Sequence, residues 1–355
     1  MKTGRSLVEL ATELQRQLIA KKDMIVPASL MRHQTDDGGV CTLHITEADG
    51  PRDYAVTELA RRQLADKLKI PYAYFERMRT EQPALLDRNI NTWLQSDGAD
   101  RRLIRTLDGQ VRAVLSDRYR RLDNVDLAES VLPILLRLPQ ARVESVELTD
   151  TRMYLKVVTP SQRYEIAPGD IVQAGVVVIN SEVGYGSLSV QPLLYRLVCK
   201  NGLIAPDHGL RKTHVGRTQS SPDESVTVFK EDTLRADDEA FFLKTRDVVE
   251  AAVSEATFRV IAQRLQQTLG IPLRGDPVRS VEVLANRYAL NDGERNGVLR
   301  HLIAQGDLSA YGLVNAVTGY AQEVVDYDRA TEFEALGGKL SELSLRAWQD
   351  IVDAR

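Results

Sequence analysis

A chain of 355 residues, 43% hydrophobic and 27% charged, can bury a sizeable core, which excludes a disordered or fibrous protein. Its net charge of -4 excludes a global attraction to nucleic acid, so binding of that kind has to come from local patches. Two cysteines, Cys41 and Cys199, without CxxC spacing, exclude a disulfide framework and a zinc ribbon and suit a reducing cytoplasm. The opening MKTGRSLVELATELQRQ turns polar too soon for a signal peptide, and the longest apolar runs are far shorter than a bilayer span. The expectation is a cytoplasmic protein with no membrane partner.

Leu7, Leu10, Leu14 and Leu18 recur at helical spacing and predict a helix over residues 6–21. VCTLHITEADG and DYAV alternate around an Asp-Gly turn and predict a hairpin or small sheet. Three helices are then expected: Val56 to Leu68, a second opened by Pro71 through Met78, and a third opened by Pro83 through Leu94. Near Arg102 the period changes to two, and LIRTL and VRAVL read as strands joined at Asp108-Gly109. A two-residue turn there predicts Ile104, Val111, Ala113 and Leu115 on one face, with Arg105 and Arg112 opposite each other on the other. Like charges so placed repel unless water or a negative group covers them.

Val125 to Leu138 reads as a helix that Pro133 can kink, with Asp126 in its first turn. RVESVELT, RMYLKVVTP and DIVQAGVVVINSEVGYGSLSVQPLLYRLVC follow as a valine-rich β core. Seven acidic side chains against Lys230 and Arg235 mark Thr218 to Glu239 as a surface linker. A long helical pattern covers 240–267, GIPLRGDP breaks it, and shorter helices run to Ala330. The fold class expected is α+β, with a β-rich central region, N-terminal helices and a helical C-terminal third. Its divisions are 1–95, helical with a small hairpin; 96–217, the β core with the arginine-rich hairpin; 218–239, an acidic linker; and 240–355, helical.

Positive charge is segregated. Residues 101–121 hold seven arginines against Asp108 and Asp117, a balance of +5, and residues 196–217 hold five cations against Asp207, a balance of +4, so the rest sums to -13. Arg102, Arg105, Arg112, Arg118, Arg120 and Arg121, with Arg196, Lys200, Arg211, Lys212 and Arg217, are the candidates for phosphate contacts. Tyr119 and Tyr195 are placed to stack on an unpaired base. The opposing interpretation is a solvated strand face, or pairing with acids elsewhere. QLADKLKIPYAYFERM, residues 63–78, has a helix, turn, helix layout found in DNA readers, although Lys69 stands where glycine is usual and plain packing explains it as well.

GYGSLS, residues 184–189, matches neither a phosphate-binding loop nor a nucleophile elbow, and a bend in the sheet explains it more simply. Cys199, His208 and His214 have no standard metal-site spacing and no fourth ligand, so no metal is expected. His33, His44, His208, His214 and His301 lie beside no obvious nucleophile, and no catalytic residue or cofactor is assigned.

ARRQLADKLKIPYAYFERM, LIRTLDGQVRAVLSDRYRRLDN, LLYRLVCKNGLI and YGLVNAVTGYAQEVVDYDRATEFEALGG together resemble a family of bacterial, phage and plasmid proteins catalogued as domain of unknown function 932, over residues 50–340. The resemblance implies a mobile-element setting and no reaction, and it raises the expectation of nucleic-acid handling. The reading is a non-enzymatic protein that binds DNA or RNA through its phosphates, with annealing or protection of single strands as a use. Its rivals are an assembly module, including a homo-oligomer, and an enzyme whose site is gathered from distant segments.

Overall fold

The computed structural model describes residues 1–96, 100–119, 121–206, 210–212 and 231–354, giving only the backbone at 210–212, 231–235, 237, 238 and 242. The fold is α+β, built on two six-stranded sheets with helices at both ends of the chain.

The first helix, α1 (Leu7–Ala20), starts at Ser6, whose side chain and that of Glu9 cap each other's backbone N–H groups, and it buries Leu10 and Leu14. Strand β1 (Lys21–Pro27) follows without a loop. Sequence alternation gave no hint of it, because KKD opens it; pairing with β5 (Arg101–Leu107) makes it a strand. Strand β2 (Met31–Thr35), which the sequence also left unmarked, pairs with β3 (Cys41–Glu47), and β3 forms the expected hairpin with β4 (Gly50–Val56). The helices α2 (Glu58–Lys67), α3 (Tyr72–Glu81) and α4 (Pro83–Ser96) stand where the two prolines place them.

The arginine-rich hairpin exists, turning at Asp108-Gly109 between β5 and β6 (Gln110–Ser116). It joins the N-terminal sheet, in the order β1-β5-β6-β4-β3-β2, instead of the valine-rich one. Only the β4–β6 pairing is parallel.

The second sheet contains β7 (Arg142–Leu148), β8 (Met153–Ala167), β9 (Asp170–Asn180), β10 (Leu188–Arg196), β11 (Asn201–Ile204) and β12 (Leu210–Lys212). Its valines run without alternation because both faces are covered. One face, with Leu155, Val157, Val176, Val178 and Val190, packs under α1, α5 (Asn124–Leu136) and α6 (Glu231–Ala252). That face is continued by α7 (Glu255–Gln267) against Val172, Ala174 and Leu194, while the opposite face, with Val158, Val177 and Leu193, meets α11 (Tyr327–Ser341); α8 (Pro277–Arg287), α9 (Asp292–Gln305), α10 (Ala310–Tyr320) and α12 (Leu345–Val352) complete the C-terminal core. At Gly338 of α11 a Cβ would lie 1.9 Å from the Ile204 carbonyl oxygen, so glycine lets the helix rest directly on β11.

Two expectations change here. Of the acidic segment 218–239, residues 218–230 lie outside the described residues, and the chain is already helical from Glu231 as α6. The helical pattern over 240–267 is two helices, because Ser254 accepts a hydrogen bond from the Thr257 N–H and starts α7 afresh.

Between β8 and α11 lies a fully enclosed ion pair, Lys156 Nζ to Glu334 Oε2 at 2.7 Å, with Thr331 Oγ1 also accepting from the ammonium. Removing one partner leaves the other charged and dry. Lys156→Met should therefore cost about 3–5 kcal/mol of unfolding free energy, and Lys156→Met with Glu334→Leu should recover most of it. Urea titrations of the parent, single and double variants check this.

Candidate functional site

Between β5 and β6 a bulge shifts the register: Arg105 faces Ala113, Thr106 faces Val111, and Arg112 is the extra residue. The expected face of Ile104, Val111, Ala113 and Leu115 is thereby split. Ile104 and Val111 join the core under α2 to α4, while Ala113 and Leu115 join a second cluster with Leu103 and Val183. Both faces of the hairpin are buried.

Arg105 was expected exposed and is 0% exposed. Its Nε donates to Asp23 Oδ1 at 3.0 Å, its Nη2 to Asp123 Oδ1 at 2.5 Å and its Nη1 to the Glu182 carbonyl at 2.6 Å. Asp23 is its cross-strand neighbour on β1, Asp123 immediately precedes α5, and Glu182 is in the loop between β9 and β10. Arg112, also expected at the surface, is largely covered and pairs through Nη1 with Glu182 Oε1 at 2.7 Å. The negative groups needed to keep two strand arginines from repelling arrive from three other segments.

The remaining candidates divide. Arg102 pairs with Asp100. Arg196 grips both oxygens of Asp170 at 2.6 Å, and Tyr311 donates to the same carboxylate, so this arginine is structural as well. Although burial pushes the Asp170 carboxyl up, Arg196 and Tyr311 outweigh it and hold the group below the usual range. Tyr119 is half-buried and donates to the Ser181 carbonyl at 3.1 Å, and Tyr195 is buried. Arg118, Arg121 and Lys200 are exposed, Arg121 reaching Asp23 only at 3.7 Å. Arg120 and Arg217 lie outside the described residues, and of Arg211 and Lys212 only the backbone, in β12, is described.

A different surface brings cations and aromatic rings together. The helix pair α2–α3 is joined as a helix-turn-helix: the Ile70 N–H donates to the Ala65 carbonyl, and Lys69 takes a left-handed φ of 55°. This is the backbone that glycine usually supplies after a helix, here adopted by lysine. The turn, α4 and the start of β5 enclose a groove of about 650 Å³. Tyr74 and Trp93 line it and are 46% and 53% exposed. Trp93 is steadied by donation from Nε1 to Asn89 Oδ1 at 3.1 Å. Lys67 and Lys69, both exposed, border the groove and make no ion pair among the described residues, and Arg102 with Asp100 closes one end. Sequence reading singled out the helix-turn-helix and Arg102. It missed Trp93, whose only signal was a large apolar residue on the polar side of α4.

Three histidines acquire carboxylate partners that sequence distance concealed. His33 Nδ1 lies 2.9 Å from Asp87 Oδ1, and Asp87 also accepts from the Thr35 N–H and hydroxyl, fastening β2 to α4. His33 is fully enclosed, so this pair serves packing. His44 with Asp53 and His301 with Glu323 lie nearer the surface. Among the described residues no group of three or more His, Cys, Asp or Glu side chains is placed to hold a metal ion, and His208 and His214 lie outside them.

A family model described as Domain of unknown function (DUF932) matches residues 111–337. The match takes in Arg112, the second sheet and most of the C-terminal helices, and leaves the α2–α4 groove outside it. No curated protein and no solved structure matches the chain.

The Arg105 cluster generates a prediction about acid stability. Burial pushes the Asp123 carboxyl up, but Arg105 and Lys21 outweigh this and hold it below its ordinary value. Its contribution is thus complete above the unfolded value, about 3.9, and is lost as pH falls through the folded one. Urea midpoints measured between about pH 6 and pH 2.5 should drop more steeply for the parent than for Asp123→Asn. Arg105→Met, which strands two carboxylates, should cost about 3–5 kcal/mol near neutral pH.

Proposed function

The chain belongs to the family described as Domain of unknown function (DUF932), and because membership brings no reaction with it, we propose from the geometry that the protein binds single-stranded nucleic acid without catalysis. The observation that carries this is the α2–α4 groove, where two half-exposed aromatic rings stand beside two lysines that make no ion pair among the described residues. Every base offers a π-face, so Tyr74 and Trp93 can each stack on one without reading its identity. Lys67 and Lys69 then meet the phosphates between stacked bases.

The surface differs from the arginine-rich hairpin anticipated from the sequence, since Arg105 and Arg112 are spent on internal partners. Exposed Arg118, Arg121 and Lys200 remain as weaker, long-range attraction. A single strand is favoured over a duplex because α3 offers few outward cations: Arg77, exposed on it, is paired with Glu81. A mobile-element setting and a cytoplasmic location belong to the same proposal, and two free thiols accord with the cytoplasm.

Fluorescence anisotropy with single- and double-stranded oligonucleotides at two salt concentrations tests the reading. Trp93→Ala and Tyr74→Ala should each weaken single-strand binding by about 1–3 kcal/mol. Lys67→Gln and Lys69→Gln should each reduce the salt slope by about 0.7, almost equally for all sequences. Tighter duplex binding would transfer the surface to a helix-turn-helix mode. Absence of binding together with concentration-dependent sedimentation would favour the assembly reading instead.

A further inference from the structure

A second concavity, a cleft of about 700 Å³, opens where the two sheets meet, between the start of α2, the hairpin, the β7–β8 loop and the β9–β10 loop. Arg112 forms part of its wall. Its Nη1 is held by Glu182 Oε1, and Glu182 Oε2 accepts from the N–H of Asn124 at the start of α5 at 3.0 Å. Glu182 is thereby fixed, and it fixes the guanidinium.

The opposite edge of that guanidinium is unmet. Arg112 Nε and Nη2 are both buried and have no hydrogen-bond partner among the described residues. These two N–H groups lie parallel on one edge, the geometry that grips two oxygens of a phosphate or carboxylate at once. Buried donors of this kind ordinarily have partners, and this preoriented pair has none among the described residues.

The rim defines what that ligand is. Arg152 sits 4.8 Å above the Tyr185 ring, donates to the Tyr185 carbonyl, and makes no ion pair among the described residues, so its charge is available. Tyr185 is placed by Gly184, whose φ is 76° and where a Cβ would lie 2.5 Å from Leu115 Cδ2, so the GYGSLS bend serves the cleft. Carboxylates also line the opening: Glu58 is paired with Arg62 and Asp108 with Arg16, while Asp150 makes no ion pair among the described residues. Their oxygens accept well from hydroxyl groups. The volume falls in the range of small-molecule sites.

We propose that this cleft binds a small phosphate ester that also carries hydroxyl groups, its phosphate on the Nε/Nη2 edge of Arg112 and its hydroxyls toward the rim carboxylates, Asp150 among them. The site is separate from the α2–α4 groove, and either can fail without the other.

Isothermal titration of the full chain with ribose 5-phosphate, ribose and inorganic phosphate tests it. Ribose 5-phosphate should bind, ribose should not, and phosphate should compete. Arg112→Lys keeps a cation for Glu182 but removes the fork, and it should lose affinity by at least about tenfold. Arg152→Ala, at the rim and outside the Arg105 cluster, should weaken binding several-fold, and it keeps the test decisive if Arg112→Lys does not fold. A single-stranded oligonucleotide should leave ribose 5-phosphate bound. No binding at millimolar concentration would show that water alone meets the Arg112 edge, and parent-like affinity in the Arg152 variant or in a folded Arg112 variant, or displacement by the oligonucleotide, would equally overturn the proposal.

Discussion

Enclosing a guanidinium is unfavourable by several kcal/mol unless its donors are met, and Arg105 meets that condition only by gathering groups from three separate segments. Asp23 comes from β1, Asp123 from the approach to α5, and the Glu182 carbonyl from the loop between β9 and β10. Lys21 also pairs with Asp123, and Arg112 with Glu182, so the buried charges balance in sign. This cluster ties the N-terminal sheet to the valine-rich one. Gln63 and Tyr119 add bonds to the Val183 and Ser181 carbonyls on the same loop.

That junction sets the form of the cleft. The acidic partner that steadies Arg112 is the residue whose carbonyl Arg105 holds, so the orientation of the guanidinium edge follows from the stability of the cluster. The α2–α4 groove has a different origin. It depends on a helix end at which a lysine adopts the left-handed backbone and on Trp93, which the core under α4 leaves outside. Apolar packing builds most of the groove, with the Arg102–Asp100 pair closing one end, whereas ion pairing builds the cleft.

Much of the architecture was legible because it follows local rules. Leucine spacing marked α1, prolines marked the starts of α3 and α4, and Asp108-Gly109 marked the hairpin turn. Strands β1 and β2 escaped notice because pairing, not alternation, makes them strands. The segment from Glu231 looked like a linker through its acids, although packing of Phe241 and Val249 against the second sheet makes it helix. Ser254 was a capping residue hidden inside a longer helical pattern.

The sequence by itself determined that positive charge is concentrated near the hairpin, because composition along a chain does not depend on folding. Whether that charge is free was decided only by tertiary structure. One bulged residue moved Arg112 out of register with Arg105, and carboxylates far away in sequence closed over both. The sequence likewise marked residues 63–78 as a helix-turn-helix, since turn and period are local. That Trp93 comes to stand beside its lysines is a matter of how α4 packs, and a long-range contact leaves no mark in the residues on either side of it.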